Sequence, residues 1–186
     1  MNVLGVCPSC SPAVILDVKK GQSVLAHIGA HILHDPKVDC SGSPCGLCLR
    51  PWPMCQFFLK KGKGSTASMK LNTATSKGCP NMISFSYKVA EQSSTSAPCS
   101  NAPIRCPLCS KSDPAIWRYN MKYHVLTQHP SAQIAKYEDM WTLSNFEKVE
   151  MKRIWAERQK VTVKRRRKKA THLSISEAHS SRRGLQ

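Results

Sequence analysis

The sequence predicts a small α+β protein made of short metal-stabilised modules, and three observations favour this fold class. The 186-residue chain contains ten cysteines, most of them in close pairs, together with seven histidines. Aromatic residues make up only 6% of the chain, too few for one large hydrophobic core, so small modules need another constraint. Alternating apolar and polar residues in the middle of the chain predict strands, and a capped apolar stripe near residue 150 predicts a helix.

Charge and hydropathy narrow the classes of function. Lys and Arg number 28 against 11 Asp and Glu, giving a net charge of +17 that favours a polyanionic partner, nucleic acid first. No segment approaches the roughly eighteen apolar residues of a membrane span, so we expect no membrane partner. The start, MNVLGVC, is too short and uncharged for a secretory signal. We therefore expect a reducing compartment, where cysteine clusters indicate metal rather than disulfides.

The strongest motif is CPLCSKSDPAIWRYNMKYHVLTQH, residues 106–129, with the pattern C-x2-C-x14-H-x4-H. Zn²⁺ prefers four tetrahedral thiolate and imidazole ligands, which this spacing supplies. Asp113 followed by Pro114 predicts a helix start, and Met121 and Trp117 are predicted core residues. The predicted ligands are Cys106, Cys109, His124 and His129.

A second Cys/His module lies at the N-terminus. Cys7 and Cys10 with His27 and His31 give C-x2-C-x16-H-x3-H, and Val24 precedes His27 as Met121 precedes His124. His34 is an alternative ligand that could replace either histidine. Pairing His31 with His34 lengthens the loop and shortens the histidine spacing, so we favour the first pair. His34 is then expected to contact free carbonyls at the helix end.

Enzymatic interpretations each lack a required residue. A zincin helix needs H-E-x-x-H, but Ile28 follows His27. The P-C-x-x-C half of a deaminase motif occurs at residues 44–48, yet no histidine has Glu two positions later. The same cysteines lack the βαβ context of a redox pair. We therefore predict that the protein is not an enzyme and has no catalytic residues.

The middle module is predicted to be a zinc-ribbon-like β-hairpin. The expected strands are CQFFLKK, residues 55–61, and NMISFSYKVA, residues 81–90, joined by a flexible loop over residues 62–78. The favoured ligands are Cys45, Cys48, Cys79 and Cys99, because the last two would hold both ends of the second strand. The alternative is a local cluster of Cys40, Cys45, Cys48 and Cys55.

The C-terminal part begins with a predicted helix over residues 144–160. Ser144 and Glu147 are in capping-box register, and Phe146, Val149, Ile154 and Trp155 form an apolar stripe. A disordered basic tail over residues 161–186 is predicted to follow. The predicted units are 1–36 (finger), 37–103 (hairpin module), 104–132 (finger), 133–160 (helix) and 161–186 (tail).

The tail contains six consecutive basic residues, KRRRKK, which predict nuclear import through an import receptor, phosphate contact, or both. They are Lys164, Arg165, Arg166, Arg167, Lys168 and Lys169. On the second finger, the positions that would face bases are Trp117, Asn120 and Tyr123. Arg118, Asn120 and Lys122 are the candidate nucleic-acid contacts on that finger.

These patterns predict a nuclear zinc protein that binds DNA, in preference to RNA, mainly through phosphates. The alternative function is a protein-interaction adaptor whose tail serves only for import. In that case the partner would contact exposed aromatic side chains: Phe57, Phe58, Trp141 and Trp155.

Several long strings resemble an uncharacterised, multi-copy family of C2H2-type zinc-finger proteins of mushroom-forming (basidiomycete) fungi. The resemblance extends from about residue 24 to the tail, through HIGAHILHDP, PCGLCLRPWPMCQFFLKKGKG, CPNMISFSYKVA, APCSNAPIRCPLC, AIWRYNMKYHV and KVTVKRRRKK. It implies C2H2-type fingers, nuclear location, and a transcription-regulatory or mobile-element-associated role, but no activity, partner or ligand set. Because the chain begins close to Cys7, a truncated copy is one hypothesis.

Overall fold

The computed structural model describes residues 5–62 and 69–159, which form an α+β fold of short two-stranded sheets and helices. The predicted coarse fold class is therefore confirmed. The strands in these residues are β1 (Gly5–Val6), β2 (Ile15–Leu16), β3 (Leu59–Lys61), β4 (Met69–Leu71), β5 (Pro103–Ile104) and β6 (Ile116–Trp117). The α-helices are α1 (Gly21–His34), α2 (Tyr87–Ala90), α3 (Met121–Gln128) and α4 (Asn145–Glu157). Short 3₁₀ helices occur at Cys40–Gly42, Arg118–Asn120 and Ile134–Met140.

Both Cys/His segments fold as an antiparallel hairpin followed by a helix. Strands β1 and β2 pair with Gly5 opposite Leu16, and α1 follows. Strands β5 and β6 pair with Pro103 opposite Trp117, and α3 follows. In each segment the hairpin presents the cysteines to one face of the helix.

Helix α3 begins later than the sequence predicts. Asp113 does not cap a helix, because its Oδ2 accepts a hydrogen bond from the Ser110 backbone N–H at 2.9 Å and closes the cysteine loop. Residues 116–117 form strand β6 instead, and α3 starts at Met121. Met121 and Trp117 are both buried, as predicted.

The middle hairpin has a different second strand from the one predicted. Strand β3 lies within the predicted segment 55–61, but it pairs with β4, inside the predicted loop 62–78. Leu59 lies opposite Leu71 on the inner face, so the Met-Lys-Leu sequence of β4 alternates as a half-buried strand does. The abundance of Gly, Ser and Thr around it conceals this short alternation.

Residues 81–90 do not form the predicted strand. Ile83, Tyr87 and Ala90 are buried while Val89 is exposed, which is a helical rather than an alternating spacing. The Tyr87 hydroxyl donates to the Pro103 carbonyl at 2.8 Å and ties α2 to β5. The segment therefore packs as a turn and a single helical turn beside the start of α1.

Helix α4 forms where the sequence predicts it, but only Ile154 and Trp155 of the predicted apolar stripe pack on the core. The Ser144 side chain accepts a hydrogen bond from the Glu147 backbone N–H at 3.1 Å, as an N-cap should. Glu147 and Met151 are the buried residues, whereas Phe146 is exposed and Val149 is 65% exposed. The helix packs on α1, with Met151 in the shared core. Within the described residues, no helix has the length and apolarity needed to cross a membrane.

A continuous core connects the N-terminal segment (residues 5–36), the middle segment (residues 37–103) and the third segment (residues 104–132, the second predicted finger). Phe57 and Trp117 pack edge to face with ring centroids 4.9 Å apart, and the Ala115 N–H donates to the Phe57 carbonyl at 2.7 Å. Gly46 lies against the Trp117 ring, where a Cβ atom would come within 2.4 Å of a ring carbon. Only glycine allows the cysteine loop and this tryptophan to approach so closely.

Candidate metal centres

Three groups of four Cys or His residues each bring their donor atoms within 4.8 Å of one another. A tetrahedral zinc ion with bonds of about 2.3 Å to sulfur and about 2.0 Å to nitrogen places its ligands about 3.3–3.8 Å apart. The donor pairs that lie in direct contact in this protein are 3.2–3.8 Å apart, so each group can hold a metal ion. The groups are a first centre (Cys7, Cys10, His27, His31), a middle centre (Cys45, Cys48, Cys55, Cys79) and a third centre (Cys106, Cys109, His124, His129).

The first centre brings together the four side chains predicted for it. Cys7 and Cys10 lie in the turn between β1 and β2, and His27 and His31 lie one turn apart on α1. The Cys10 Sγ is 3.5 Å from the His27 Nε2 and 3.2 Å from the His31 Nε2, and all four residues are buried. The buried pair at i and i+4 needs the regular geometry of a helix.

Asp35 orients one of these histidines, and the sequence interpretation did not include it. The His31 Nδ1 is 2.8 Å from the Asp35 Oδ2, while the His31 Nε2 faces the cysteines. A carboxylate on the second ring nitrogen fixes the imidazole and increases its strength as a ligand. Burial lowers the pKa of His31, but hydrogen bonds to Cys7 and Asp35 outweigh burial and raise it overall. The i, i+4 spacing to His31 is the sequence signal for this role.

The end of α4 covers the first centre. The Trp155 ring meets the His31 ring edge to face at 5.0 Å between centroids. The Arg158 guanidinium lies over Trp155, 3.4 Å from the ring centroid. This layer places the Arg158 guanidinium near the thiol groups of the first centre. The sequence pattern does not predict the layer, because Trp155 and Arg158 are more than 120 positions from His31.

His34 lies outside the first centre. It occupies the last turn of α1, and its Nε2 is buried without a hydrogen-bond partner among the described residues. Burial, with a smaller contribution from the charge of Lys152, lowers the pKa of His34. The structure brings His27 and His31 to the cysteines and does not show the predicted contact between His34 and carbonyls.

The middle centre forms where a cysteine turn meets the base of the β3–β4 hairpin. Cys45 and Cys48 lie in a tight turn in which the Leu47 N–H points at the Cys45 Sγ at 3.4 Å. Gln56 pairs with Lys77 through backbone hydrogen bonds of 3.0 and 2.9 Å, which brings Cys55 close to Cys79. The sulfur–sulfur distances are 3.8 Å for Cys45–Cys79 and 3.5 Å for Cys48–Cys55.

Gly78 shapes the approach to Cys79. Its φ is +85°, a left-handed conformation, and a Cβ atom there would come within 1.9 Å of the Met54 carbonyl oxygen. A residue with a side chain would therefore push the two strands of the hairpin base apart. The turn before Cys79 needs glycine for both reasons.

The prediction that Cys99 is a ligand of the middle centre is corrected by this geometry. Cys99 is buried against α1, with its Sγ 3.4 Å from the Leu25 carbonyl and 3.4 Å from the Tyr119 hydroxyl. Burial raises the pKa of this thiol to about 12. Cys55 takes the fourth position instead, while Cys40 is exposed and contributes to none of the three groups.

The third centre brings together the four side chains predicted for it. The Cys109 Sγ lies 3.2 Å from the Nε2 of both His124 and His129, and the Cys106 Sγ lies 3.6 Å from the Nε2 of His129. Cys109, His124 and His129 are only partly buried. A groove of about 420 Å³ between this centre and residues 41–43 opens to solvent beside them.

Neighbouring cysteines in each centre oppose one another's ionisation, because two thiolates placed close together repel each other. Burial raises the pKa of Cys7, but hydrogen bonds with His27 and His31 outweigh burial and lower it to about 5. Burial and the neighbouring Cys7 then raise the pKa of Cys10 to about 12. In the middle centre, hydrogen bonds from Cys45 and Cys79 lower the pKa of Cys48 to about 2, while burial raises that of Cys45. A divalent cation would relieve this repulsion and displace the remaining thiol protons.

The predicted nucleic-acid contacts on the third segment are mostly engaged within the protein. Asn120 is 2% exposed and its Nδ2 donates to the Pro44 carbonyl at 2.7 Å, so it cannot reach a base from this position. Arg118 donates to the backbone carbonyls of Glu91, Asp139 and Thr142. Lys122 remains exposed on α3, and the basic run at 164–169 lies outside the described residues.

Comparisons with family models, with curated proteins and with solved structures gave no match. The resemblance to the basidiomycete zinc-finger family therefore stays a prediction.

Proposed function

We propose that the protein binds three structural zinc ions and uses the scaffold they stabilise to bind nucleic acid, DNA in preference to RNA, through phosphate contacts. The observation that carries the zinc assignment is the clustering of four donors in each of the three groups, all within 4.8 Å of one another and with contacting pairs 3.2–3.8 Å apart. Thiolate and imidazole donors in a tetrahedral arrangement suit Zn²⁺ better than Mg²⁺ or Ca²⁺, which prefer oxygen. The Cys2His2 modules, each a hairpin and a helix, would then be C2H2-type.

The composition of the donor sets favours a structural rather than a catalytic role. Each group supplies four protein donors, which fill the tetrahedral coordination sphere and leave no position for water or substrate. The nearest carboxylate to the first centre, Asp35, bonds a ligand imidazole and does not face an open position. The function we propose for this protein is therefore not enzymatic.

The positive net charge of the protein favours a partner that carries phosphate groups. The net charge is +17, and two of the carboxylates are already used inside the fold: Asp35 bonds His31, and the buried Glu147 bonds Ser100 and Tyr119. Because Asn120 and Arg118 are engaged with backbone carbonyls, base reading by the third segment has little support. Contact through phosphates needs no such side chains, and it predicts weak sequence preference.

The basic run at residues 164–169 is proposed to direct nuclear import and to add phosphate contacts. The alternative function as a protein-interaction adaptor has less support, because two of the aromatic residues expected to contact a partner are packed against other side chains of the protein. Phe57 is 1% exposed and Trp155 covers the first centre against His31.

The test combines metal content with a salt series. Native mass spectrometry of the purified chain should find three zinc ions, and its affinity for a short DNA duplex should fall steeply between low and moderate salt. An affinity that hardly changes with salt would contradict phosphate binding. Deleting residues 161–186 should weaken binding without abolishing it, and complete loss would show that the zinc scaffold takes no part.

A further inference from the structure

We infer that the outer face of the β3–β4 hairpin is a phosphate-binding surface, with Lys60 and Lys70 as its central pair. This inference rests on the proposed nucleic-acid binding and assigns part of it to one element of the folded protein. The two lysines lie directly opposite each other in the antiparallel register, and both are exposed. Residues opposite each other on one face have Cβ atoms about 5 Å apart.

Opposed like charges are unfavourable in a sheet, so this pair is not explained by stability. Two lysines at one cross-strand position repel each other, which costs some fraction of a kilocalorie per mole relative to a neutral pair. Among the described residues, the ion pairs involve His31–Asp35 and Arg153 with Glu150 and Glu157, and none includes the hairpin lysines. A bound phosphate would remove the repulsion.

The surrounding sequence concentrates positive charge at this place. From residue 40 to residue 90 the chain contains no Asp or Glu, yet it contains seven Lys or Arg. A zinc ion with four thiolates carries a net charge of about −2, which leaves the segment strongly positive. Such a single-sign surface attracts a polyanion over several ångströms at physiological salt.

The fold holds this surface at a defined position. Leu59 and Leu71 face inward and pack on the core, which directs Lys60 and Lys70 outward. The Arg105 side chain donates to the Leu59 carbonyl at 2.8 Å and fastens β3 to the third segment. The Gln56–Lys77 pair connects the hairpin to the middle centre, so the surface depends on that centre for its position.

The phosphates of a nucleic acid are the occupant that this chemistry fits. The described strands of the hairpin present ammonium groups without carboxylates, and their exposed residues are all lysines: Lys60, Lys61 and Lys70. Lysine contacts phosphate as a point charge and tolerates many geometries, so we expect affinity without sequence selectivity from this surface.

The experiment compares two double variants of the full-length, zinc-loaded chain that remove the same charge. Lys60→Gln with Lys70→Gln should weaken binding to a short DNA duplex about tenfold. The magnitude of the negative slope of log K against log salt should fall by about two. Lys136→Gln with Lys148→Gln, both exposed lysines outside the hairpin, should change the affinity and the slope less. Lys60→Arg with Lys70→Arg should bind as the wild type does.

The outcomes separate this inference from the proposed function. If the wild-type chain does not bind DNA in a salt-dependent manner, the proposed function fails and the inference fails with it. If the wild type binds and both glutamine pairs weaken binding equally, only the inference is overturned. It is also overturned if the hairpin variant binds DNA normally but self-associates, or loses affinity only for phosphatidylserine vesicles. Self-association would mean that the lysines protect a strand edge.

Discussion

Cys55 and Cys99 have roles in the structure opposite to those that the sequence favours, in which Cys99 is the preferred ligand and Cys55 the alternative. Cys55 lies 3.5 Å from the Cys48 Sγ, whereas Cys99 bonds the Leu25 carbonyl and the Tyr119 hydroxyl. Cys55→Ser should therefore leave a chain that holds two zinc ions, and Cys99→Ser, the matched control, should keep all three. Zinc counted per chain by native mass spectrometry checks this. Retention of three ions by the Cys55 variant would show that the middle centre has another ligand.

Asp35 is predicted to strengthen the first centre without touching the metal. Because its Oδ2 lies 2.8 Å from the His31 Nδ1, Asp35→Asn should lower zinc affinity at this centre about 10–100-fold. Asp39→Asn is the control, since Asp39 is exposed and bonds neighbouring residues such as Ser41, away from the first centre. Competition with a chromophoric chelator measures both variants. Equal affinities in the two variants would mean that Asp35 does not orient His31.

At the scale of elements, helix α4 carries a buried carboxylate that fastens it to the core. Glu147 accepts hydrogen bonds from the Ser100 N–H at 2.7 Å, the Ser100 hydroxyl at 2.9 Å and the Tyr119 hydroxyl at 2.6 Å. The sequence predicts Glu147 as a capping-box residue, but its side chain turns inward instead. Burial, with the neighbouring Cys99 and Glu147, raises the pKa of Tyr119 and keeps its hydroxyl a donor.

Glu147→Ala should lower the free energy of unfolding by about 3 kcal/mol, because it leaves buried donors without an acceptor. Glu150→Ala, on the same helix, should cost about 0.5 kcal/mol, since Glu150 makes a surface ion pair with Arg153. Denaturant unfolding of the zinc-loaded chains measures both values. Comparable losses in the two variants would refute the role assigned to the buried network.

At the scale of the whole molecule, the three centres differ in their access to solvent. The ligands of the first centre are all buried, and Trp155 and Arg158 lie over it. The third centre has three partly buried ligands, Cys109, His124 and His129, beside an open groove. Metal loss should therefore proceed stepwise, with the third centre first.

Stopped-flow mixing with a chromophoric chelator should show a fast phase of one zinc ion per chain, followed by slower release. Cys109→Ser, which removes a ligand of the third centre, should abolish the fast phase, and Cys10→Ser should leave it unchanged. The reverse pattern would show that the first centre is the more accessible one. Complete metal removal should unfold the modules, because bound zinc contributes folding energy directly.

The local sequence was enough to select the first and third groups of donors. A pair of cysteines two residues apart closes one turn, and two histidines near i+4 share one helix face, so both arrangements depend on short-range geometry. The same holds for the Ser144 cap of α4.

Only the tertiary structure decided the features that depend on long-range packing. The middle ligand set follows from the Gln56–Lys77 pairing, which brings Cys55 to Cys79 and leaves Cys99 in the core against α1. Strand β4 forms inside a loop-like segment because Leu71 has Leu59 opposite it on the core. Asn120 is a residue type that can hydrogen-bond a base, but in the folded protein its side chain donates to the Pro44 carbonyl. A paired motif such as C-x2-C followed by two histidines on one helix can be recognised from its spacing, whereas these contacts join residues that no motif pairs and depend on how the whole core packs.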